Sequence, residues 1–289
     1  MTAPAPNPRL ADLTATARAT LSDIYSRHEH VFLGFSGGKD SLALLHVCEP
    51  WRDRVTLLWS NTGYMAAHMA AFVRGHGERW RLVEVSPERD MLDDWSEHGT
   101  PVDVVAIGHL EGLDWNSPRV RPWPLCCRQN RMAPLVAYLA RFERPCVLLN
   151  GQRQSDKGTT PERMAEIMSS NVTTAMPLWA WSTSDVLTYL AAHAIPLPPH
   201  HGVFQGSMEC AVCPADLKPG RLRVLDRFEP HAAAFVRSTA RISLGFVAAR
   251  TREIEAVLAE TAPPPPELRP CRPMSSASPA GTDHRRHST

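Results

Sequence analysis

Short apolar runs alternate along the chain with segments that carry apolar residues at helical spacing. The runs predict buried β-strands over residues 31–35, 55–60, 81–86 and 146–150. The segments between them predict helices opening at Leu42, from Met65 to Val73 and from Met132 to Phe142. This alternation is typical of a Rossmann-like α/β fold, a mainly parallel twisted sheet with helices on both faces. In such folds the ligand site lies at the carboxyl ends of the strands.

The two ends of the chain lack these patterns. The first ten residues contain three prolines, and the chain is rich in proline and serine from residue 261 onward. We therefore predict disordered tails over residues 1–10 and 261–289. Between them we expect a nucleotide-binding domain over 11–220, whose loop-rich part after residue 150 covers the ligand edge, and a C-terminal helical extension over 221–260.

Length, composition and net charge limit the kinds of protein that this sequence can encode. A length of 289 residues is enough for one large α/β domain with an appendage, and 43% of the residues are hydrophobic. A net charge of +1 gives no support for nucleic acid or an anionic membrane as an obligatory partner, although local basic patches are possible. No apolar run approaches the roughly 20 residues of a membrane span, and the N-terminus lacks a secretory pattern. We expect a cytoplasmic protein without membrane association.

The polar segment SGGKDS lies between the first predicted strand and the first predicted helix. Glycines at such a turn let backbone amides approach phosphate oxygens, and the helix N-terminus adds positive potential. Lys39 can neutralise phosphate charge, and Asp40 can position Mg²⁺ or its water. The lysine directly follows the glycine pair, so the spacing is not that of a Walker loop. A polar turn that only caps the helix is the alternative. The predicted phosphate site comprises Ser36, Gly37, Gly38, Lys39, Asp40 and Ser41.

This segment resembles the pyrophosphate loop of the ATP pyrophosphatase superfamily, whose members commonly split ATP into an AMP-linked product and pyrophosphate. The resemblance continues in Asn61-Thr62-Gly63, in GQRQSD from Gly151 and in MPLWAWSTSDVLTYLAAHAIPLPPHHG from Met176. Together, over roughly residues 30–217, these motifs resemble the phosphoadenosine-phosphosulfate (PAPS) reductase family. The resemblance implies an adenine nucleotide alpha hydrolase-like fold and adenylylation chemistry with ATP and Mg²⁺.

Two further groups of residues end predicted strands at the ligand edge. Residues 61–63 are small and polar enough to approach a nucleotide, although on their own they would also be a turn signal. Gly151 and Arg153 follow the strand that begins at Cys146, where a guanidinium is suited to a bidentate phosphate or sulfate contact. A surface arginine is the alternative for Arg153. The candidate catalytic residues are Lys39, Asp40 and Arg153.

Paired cysteines form a second candidate site. Seven cysteines in a chain of this length do not indicate a small disulfide scaffold, and paired cysteines in a reducing compartment more often bind metal or do redox chemistry. The pairs are Cys126-Cys127 and Cys210-x-x-Cys213. Four thiolates can hold a [4Fe-4S] cluster or a tetrahedral Zn²⁺ ion. Adjacent side chains diverge, so we expect local backbone strain if both thiols of the first pair ligate one centre. Cys48 and Cys146 are predicted to be buried hydrophobic residues.

The CC…CxxC arrangement, followed by a basic residue and a Pro-Leu pair, resembles the cluster motif of assimilatory adenylyl-sulfate reductases and related DNA phosphorothioation enzymes. The resemblance implies a [4Fe-4S] cluster on Cys126, Cys127, Cys210 and Cys213. Zinc, or unliganded or disulfide-linked cysteines, are the alternatives. Arg128 and Arg131 are predicted either to serve the cluster thiolates or the substrate anion, or to be salt-bridged at the surface.

The sequence departs from the reductase pattern at the cysteine that attacks the sulfate sulfur. Reductases carry it near the C-terminus in a Glu-Cys-Gly-containing motif that this chain lacks. Here the cysteine beyond Cys213 is Cys271, in the proline-rich tail. No helix N-terminus is predicted there to activate its thiol, although Arg269 and Arg272 are nearby. The unaltered SGGKDS loop also favours ATP cleavage, because reductases act on a ready-made adenylate and commonly have an altered loop.

These features favour an ATP-dependent, AMP-forming sulfurtransferase. ATP would adenylylate an acceptor such as the DNA backbone phosphate, and sulfur from a cysteine desulfurase or another donor would displace AMP. The alternatives are a reductase of adenylyl or phosphoadenylyl sulfate, and a non-catalytic nucleotide-binding subunit of a larger complex. A DNA acceptor needs a cationic channel. Two groups of arginines are candidates either for its lining or for solvated faces: Arg119, Arg121, Arg128 and Arg131, and Arg221, Arg223 and Arg227. For the second group we predict a solvated face.

Overall fold

The computed structural model describes residues 8–102, 120–156, 168 and 171–259. Its strands are β1 (His30–Gly34), β2 (Val55–Ser60), β3 (Arg81–Val85), β4 (Thr100–Val102), β5 (Val120–Pro122), β6 (Cys146–Leu149) and β7 (Val172–Ala175). Five of them form one sheet in the order β3-β2-β1-β6-β7, in which every neighbouring pair is parallel. β4 and β5 form a separate parallel pair. The predicted α/β class is confirmed.

The helices connect these strands and extend beyond them. They are α1 (Pro8–Arg27), α2 (Lys39–Val47), α3 (Ala67–Gly75), α4 (Met91–His98), α5 (Trp123–Cys127), α6 (Ala133–Leu139), α7 (Thr183–Ala192), α8 (Arg221–Phe228) and α9 (Pro230–Ala259). Short 3₁₀ helices span Glu49–Arg54, His76–Glu78 and Pro199–Gly202. The chain divides into two units, residues 1–248 and 249–289, and the second is described only over its helical residues 249–259.

Alternate side chains of the central strands enter two different hydrophobic cores. Val31 and Leu33 of β1 pack in one core with residues of α1, α2 and α7 such as Leu21 and Tyr189. Phe32, between them in sequence, packs in the other core with Leu139 of α6 and Leu148 of β6. Both faces of the sheet are therefore covered, which explains why the strand sequences are continuously apolar instead of alternating.

The structure corrects three features of the predicted secondary structure. β3 is an edge strand whose residues Arg81 and Glu84 are exposed, not a buried strand. β7 was not predicted, because its short sequence VTTA is too polar to stand out as a buried run. Helix α1 was also missed, and it begins at Pro8, inside the predicted 1–10 tail. The predicted 261–289 tail lies outside the described residues.

No helix in the part of the chain that the structure describes is long and apolar enough to cross a lipid bilayer.

Helix α7 begins with a capping box, and the aspartate of this box also forms an ion pair with a residue of α1. The backbone N–H of Asp185 donates to Ser182 Oγ at 3.1 Å, and the Asp185 carboxylate accepts the backbone N–H of Ser182 at 2.8 Å. Arg9 Nη2 lies 3.1 Å from Asp185 Oδ2. Arg9 and the capping contacts lower the pKa of Asp185 to about 2. This box places Thr183, whose hydroxyl contacts Arg153.

We expect Asp185→Asn to destabilise the protein by about 1 kcal/mol at neutral pH, because one half of the capping box and the Arg9 ion pair are lost. The folded-state pKa of Asp185 lies below its ordinary value of 3.8, so the carboxylate stabilises the fold above about pH 4. That stabilisation is lost as the pH falls towards about 2. Urea unfolding at several pH values measures the difference, which should vanish in acid. The control is Asp23→Asn, which breaks an exposed ion pair with Arg27; an equal loss in both variants would contradict the prediction.

Candidate functional site

The SGGKDS segment forms the predicted turn between β1 and α2. Gly37 has a positive φ of 72°, and a Cβ atom there would lie 2.9 Å from Val73 Cγ2, so a side chain would be strained and crowded. Gly38 is the N-cap residue of α2, and the Ser41 hydroxyl donates to the Gly38 carbonyl at 2.9 Å. The turn thus places glycine backbone beside the positive end of a helix, as an anion site requires.

Two cations converge on one carboxylate at this turn. Lys39 Nζ lies 2.7 Å from Asp40 Oδ2, and Arg153 Nε lies 3.1 Å from Asp40 Oδ1. Arg153 is only 3% exposed, so the surface alternative for it is wrong. Its guanidinium also donates to Thr183 Oγ1 and to Asp156 Oδ1, each at 2.8 Å. A phosphate group entering the site can replace Asp40 as the partner of both cations.

Gly151 packs directly on the backbone that begins α2. A Cβ atom at this position would lie 2.9 Å from the carbonyl carbon of Asp40 and 3.0 Å from the amide nitrogen of Ser41. Backbone cannot yield as a flexible side chain can, so only glycine allows the β6 loop to approach so closely. This contact sets the position from which Arg153, two residues later, reaches Asp40.

The turn after β2 lies between the predicted nucleotide site, at the carboxyl ends of the strands, and the paired cysteines. Asn61 donates to Glu84 Oε1 at 2.6 Å and accepts the Gly63 backbone N–H at 2.9 Å, and Gly63 has a φ of 85°. Hydrogen bonding to Arg74 lowers the pKa of Glu84 and so keeps this acceptor charged. Thr62 Oγ1 lies 3.6 Å from Cys210 Sγ. Residues of the predicted nucleotide site and of the predicted metal site therefore touch.

All four paired cysteines border one small cavity of about 20 Å³, together with Thr62 and Arg131. A larger cavity of about 420 Å³ borders Cys127, Cys210 and Cys213, and Ala240 and Leu244 of α9 form part of its apolar wall. The two pairs, 83 positions apart from Cys127 to Cys210, thus meet in the fold. Over residues 8–102, 120–156, 168 and 171–259, no three His, Cys, Asp or Glu side chains are gathered closely enough to hold one metal ion.

The thiols are held in a buried setting beside a cation. Burial raises the pKa of Cys127 to about 11 and that of Cys210 to about 12, so both carry protons at neutral pH. Arg131 Nη1 forms an ion pair with Glu209 Oε2 at 2.5 Å. Although burial opposes its charge, Glu209 and the neighbouring cysteines raise the pKa of Arg131. A metal or cluster bound here must displace the thiol protons.

The adjacent cysteines lie at the end of a helix. Cys126 and Cys127 end helix α5, and Cys127 has ordinary helical angles of φ −62° and ψ −39°. The irregularity instead follows them, as a π-helical stretch over Arg128–Met132 before α6 begins. Inserting one residue in a helix turns the side chains that follow it. The strain expected when both thiols ligate one centre stays a prediction.

Arg221 organises the second cysteine pair. Its side chain is fully buried and donates to the carbonyls of Cys213 at 3.2 Å and of Ala211 at 3.4 Å, as well as to that of Cys210. Its Nε lies 3.3 Å from Asp216 Oδ2. The prediction of a solvated face is therefore wrong for Arg221, whereas Arg223 and Arg227 are exposed.

Two of the four arginines that are candidates for a cationic channel are paired with carboxylates. Arg121 is buried in an ion pair with Asp94, and Arg131 is paired with Glu209. Arg128 is exposed. Arg119 and the tail cysteine Cys271 lie outside the described residues. Cys48 and Cys146 are fully buried, which confirms them as hydrophobic core residues.

His201 lies near the phosphate turn and was not predicted as a site residue. Burial, His200 and Lys39 lower the pKa of His201 to about 4, while Asp40 opposes the shift. The side chain is neutral at physiological pH and can accept a hydrogen bond beside Lys39. The available signal was the pair of adjacent histidines that follows Pro199 in the loop-rich segment. Their spacing does not indicate which strand end they approach.

This chain is similar to known proteins of one enzyme family. The model of the phosphoadenosine phosphosulfate reductase domain matches residues 30–215. An adenosine 5'-phosphosulfate reductase of Burkholderia cepacia is 25% identical over 224 residues, covering 76% of this chain and 83% of the relative. A protein of the same name from Sinorhizobium fredii (strain USDA 257) is 31% identical over 118 residues, covering 41% of this chain and 47% of the relative. The crystal structure of phosphoadenylyl-sulfate reductase from Candida auris in a phosphate complex aligns with a TM-score of 0.44 and 16% identity, over 67% of this chain and 90% of that one.

Proposed function

Because the chain belongs to the phosphoadenosine phosphosulfate reductase family, we propose that it binds an adenine nucleotide at the turn between β1 and α2 and uses it in sulfur chemistry. We further propose that the nucleotide is ATP and that the protein is an AMP-forming sulfurtransferase. The observation that carries this is the convergence of Lys39 and the buried Arg153 on Asp40, within an unaltered SGGKDS turn. Two fixed cations and a glycine turn suit the charge of a triphosphate.

The proposed reaction has two displacements. An acceptor oxygen attacks the α-phosphorus of ATP, and the bond to the bridging oxygen breaks so that its electron pair leaves with pyrophosphate. Lys39 and Arg153 bind the phosphate oxygens in place of Asp40, and the freed Asp40 carboxylate holds Mg²⁺ or its water. The persulfide sulfur of the donor is reduced by two electrons from a dithiol reductant to the oxidation level of sulfide. It then attacks the activated acceptor, and AMP leaves with the electron pair of the broken bond.

The thiol cavity is proposed to hold a [4Fe-4S] cluster. The donor types fit, because four thiols border one cavity and the Arg131 cation lies against Cys127 and Cys210. The four side chains are not gathered closely enough among the described residues to hold a metal as they stand, so binding must draw them together. Cys126, Cys127, Cys210 and Cys213 would be the ligands. When bound, the cluster supplies iron with affinity for sulfur and a route for electrons. Thr62 connects this site to the nucleotide edge through its contact with Cys210.

Partners follow from the chemistry. We propose that the sulfur comes from a cysteine desulfurase or another donor, and that a DNA backbone phosphate is one candidate acceptor. A reducing compartment such as the cytoplasm keeps the buried thiols free to bind the cluster.

A second candidate is supported by the names of the relatives, both of which are adenosine 5'-phosphosulfate reductases. In that case adenylyl sulfate occupies the same site and sulfite is released. The reaction needs a thiol to attack the sulfate sulfur, and Cys271 is the candidate beyond the thiol cavity. A third candidate is a nucleotide-binding subunit without turnover.

Product analysis of anaerobically purified protein separates these functions. With ATP, Mg²⁺, a desulfurase system and DNA, we expect equal amounts of AMP and pyrophosphate, and no sulfite from adenylyl sulfate with thioredoxin. Sulfite that disappears in Cys271→Ser would replace the proposal by the reductase. Nucleotide binding with neither pyrophosphate nor sulfite would favour the non-catalytic subunit. AMP alone does not discriminate, because both reactions form it.

A further inference from the structure

The sulfur of Cys126 accepts N–H contacts from two buried side chains. Trp95 Nε1 of α4 lies 3.2 Å from Cys126 Sγ, and each residue is only 6% exposed. An indole nitrogen can only donate, so the sulfur is the acceptor. Asn130 Nδ2 lies 3.7 Å from the same sulfur and 3.2 Å from the Cys126 carbonyl oxygen. Asn130 belongs to the π-helical stretch and is 2% exposed.

A buried ion pair sets the orientation of the Asn130 amide. Asn130 Nδ2 donates to Asp94 Oδ2 at 2.8 Å. Asp94 is in turn paired with Arg121, whose Nη1 lies 3.4 Å from Asp94 Oδ1, and His98 Nδ1 lies 3.1 Å from the same oxygen. The carboxylate accepts hydrogen bonds, so the amide must turn its nitrogen towards Asp94. The second hydrogen of that nitrogen then faces Cys126.

The four cysteines differ in what surrounds them. Cys127, Cys210 and Cys213 border the cavity of about 420 Å³, whereas Cys126 is not among its lining residues. Trp95 and Asn130 border only the small cavity that all four share. Cys126 therefore lies on the protein side of the site, and the other thiols lie on the side that faces the larger cavity.

We propose that Trp95 and Asn130 are positioning residues that make Cys126 the anchored ligand of the thiol site. This inference rests on the proposed function for the identity of the bound group, although the N–H contacts themselves do not. N–H donors to a ligating sulfur spread its negative charge, strengthen its retention and raise the reduction potential of an iron–sulfur centre. Cys127, Cys210 and Cys213, which border the larger cavity, would then be the ligands that an external sulfur species can approach.

The contact can be tested without any cluster, by NMR of the indole N–H group in the metal-free protein. Trp95→Phe identifies its resonance. We expect slow hydrogen exchange, and a larger shift of this resonance in Cys126→Ala than in Cys127→Ala. Equal effects of the two cysteine variants would overturn the positioning role.

Reconstitution with iron and sulfide under argon tests the role toward the cluster. Trp95→Phe should lower the reduction potential and hasten oxygen-dependent loss of the visible cluster absorbance by about tenfold. The matched control is Trp59→Phe, because Trp59 is 2% exposed and its indole nitrogen has no hydrogen-bond partner among the described residues. Identical behaviour of the two variants would overturn the inference. If the unaltered protein takes up no cluster, the proposed cofactor fails, and the NMR comparison alone decides whether Trp95 positions Cys126.

Discussion

Replacing Lys39 by alanine is expected to lower the rate of pyrophosphate release from ATP by about 10²–10³-fold. Lys39 supplies one of the two cations at the turn, and its Nζ lies 2.7 Å from Asp40 Oδ2. The charge that develops on the leaving pyrophosphate would lose a fixed partner. Because Lys39 lies at the first position of α2 and its side chain is not part of the hydrophobic cores, the fold should persist. Quantifying pyrophosphate under single-turnover conditions measures the effect.

The control for Lys39→Ala is Arg144→Ala. Arg144 forms an exposed ion pair with Glu29, and these residues precede β6 and β1, at the amino ends of the strands. That variant also removes one cation, but at the edge of the sheet opposite the nucleotide turn. Pyrophosphate release should stay within about twofold of the unaltered protein, since exposed ion pairs contribute little. A Lys39→Ala protein that turns over ATP at the rate of this control would refute the ATP-cleaving function.

Replacing Cys210 by alanine is expected to lower the iron and sulfide content after anaerobic reconstitution by about tenfold or more. The thiol lies between the Thr62 hydroxyl, 3.6 Å away, and the half-buried charge of Arg131. Three remaining thiols leave one iron of the proposed cluster without a protein ligand. Colorimetric iron and sulfide analysis, with zinc measured on the same sample, tests the prediction and the zinc alternative together.

Cys48→Ala provides the comparison for Cys210→Ala. Cys48 is fully buried in the core, where burial raises its pKa to about 12, and it does not border the thiol cavity. This variant should lose some stability through the cavity it creates and keep its iron. Full cluster occupancy in Cys210→Ala would remove the thiol site from the proposal. Stoichiometric zinc in place of iron would replace the cluster by a structural metal.

The central strands and the phosphate turn could be predicted because their determinants are local. β1, β2 and β6 are apolar on both faces, and a glycine pair followed by Lys39 indicates an anion turn before any fold is known. β3 was predicted to be buried because its sequence RLVEVS resembles a core strand. Its exposure follows from its place at the edge of the sheet, which depends on strand order, not on composition.

The arginines show the limit of local reasoning most clearly. Arg153, Arg121 and Arg221 are all buried, and each has a carboxylate partner: Asp40 and Asp156, Asp94, and Asp216 respectively. In the sequence, Arg221 and Arg223 have the same residue type and nearly the same neighbours, yet Arg223 is exposed. Which one points inward is decided by the helical face of α8 that packs against the CxxC loop.

The amino-acid sequence by itself determined the α/β class, the glycine turn before α2 and the identities of the four paired cysteines, because these depend on hydrophobic period and on residue type. Only the tertiary structure decided that Arg153 pairs with Asp40, that Thr62 touches Cys210, and that Trp95 donates to Cys126. Each of these contacts joins residues far apart in the chain. Their distances are set by how the loops fold over the carboxyl edge of the sheet, and no local pattern encodes that arrangement.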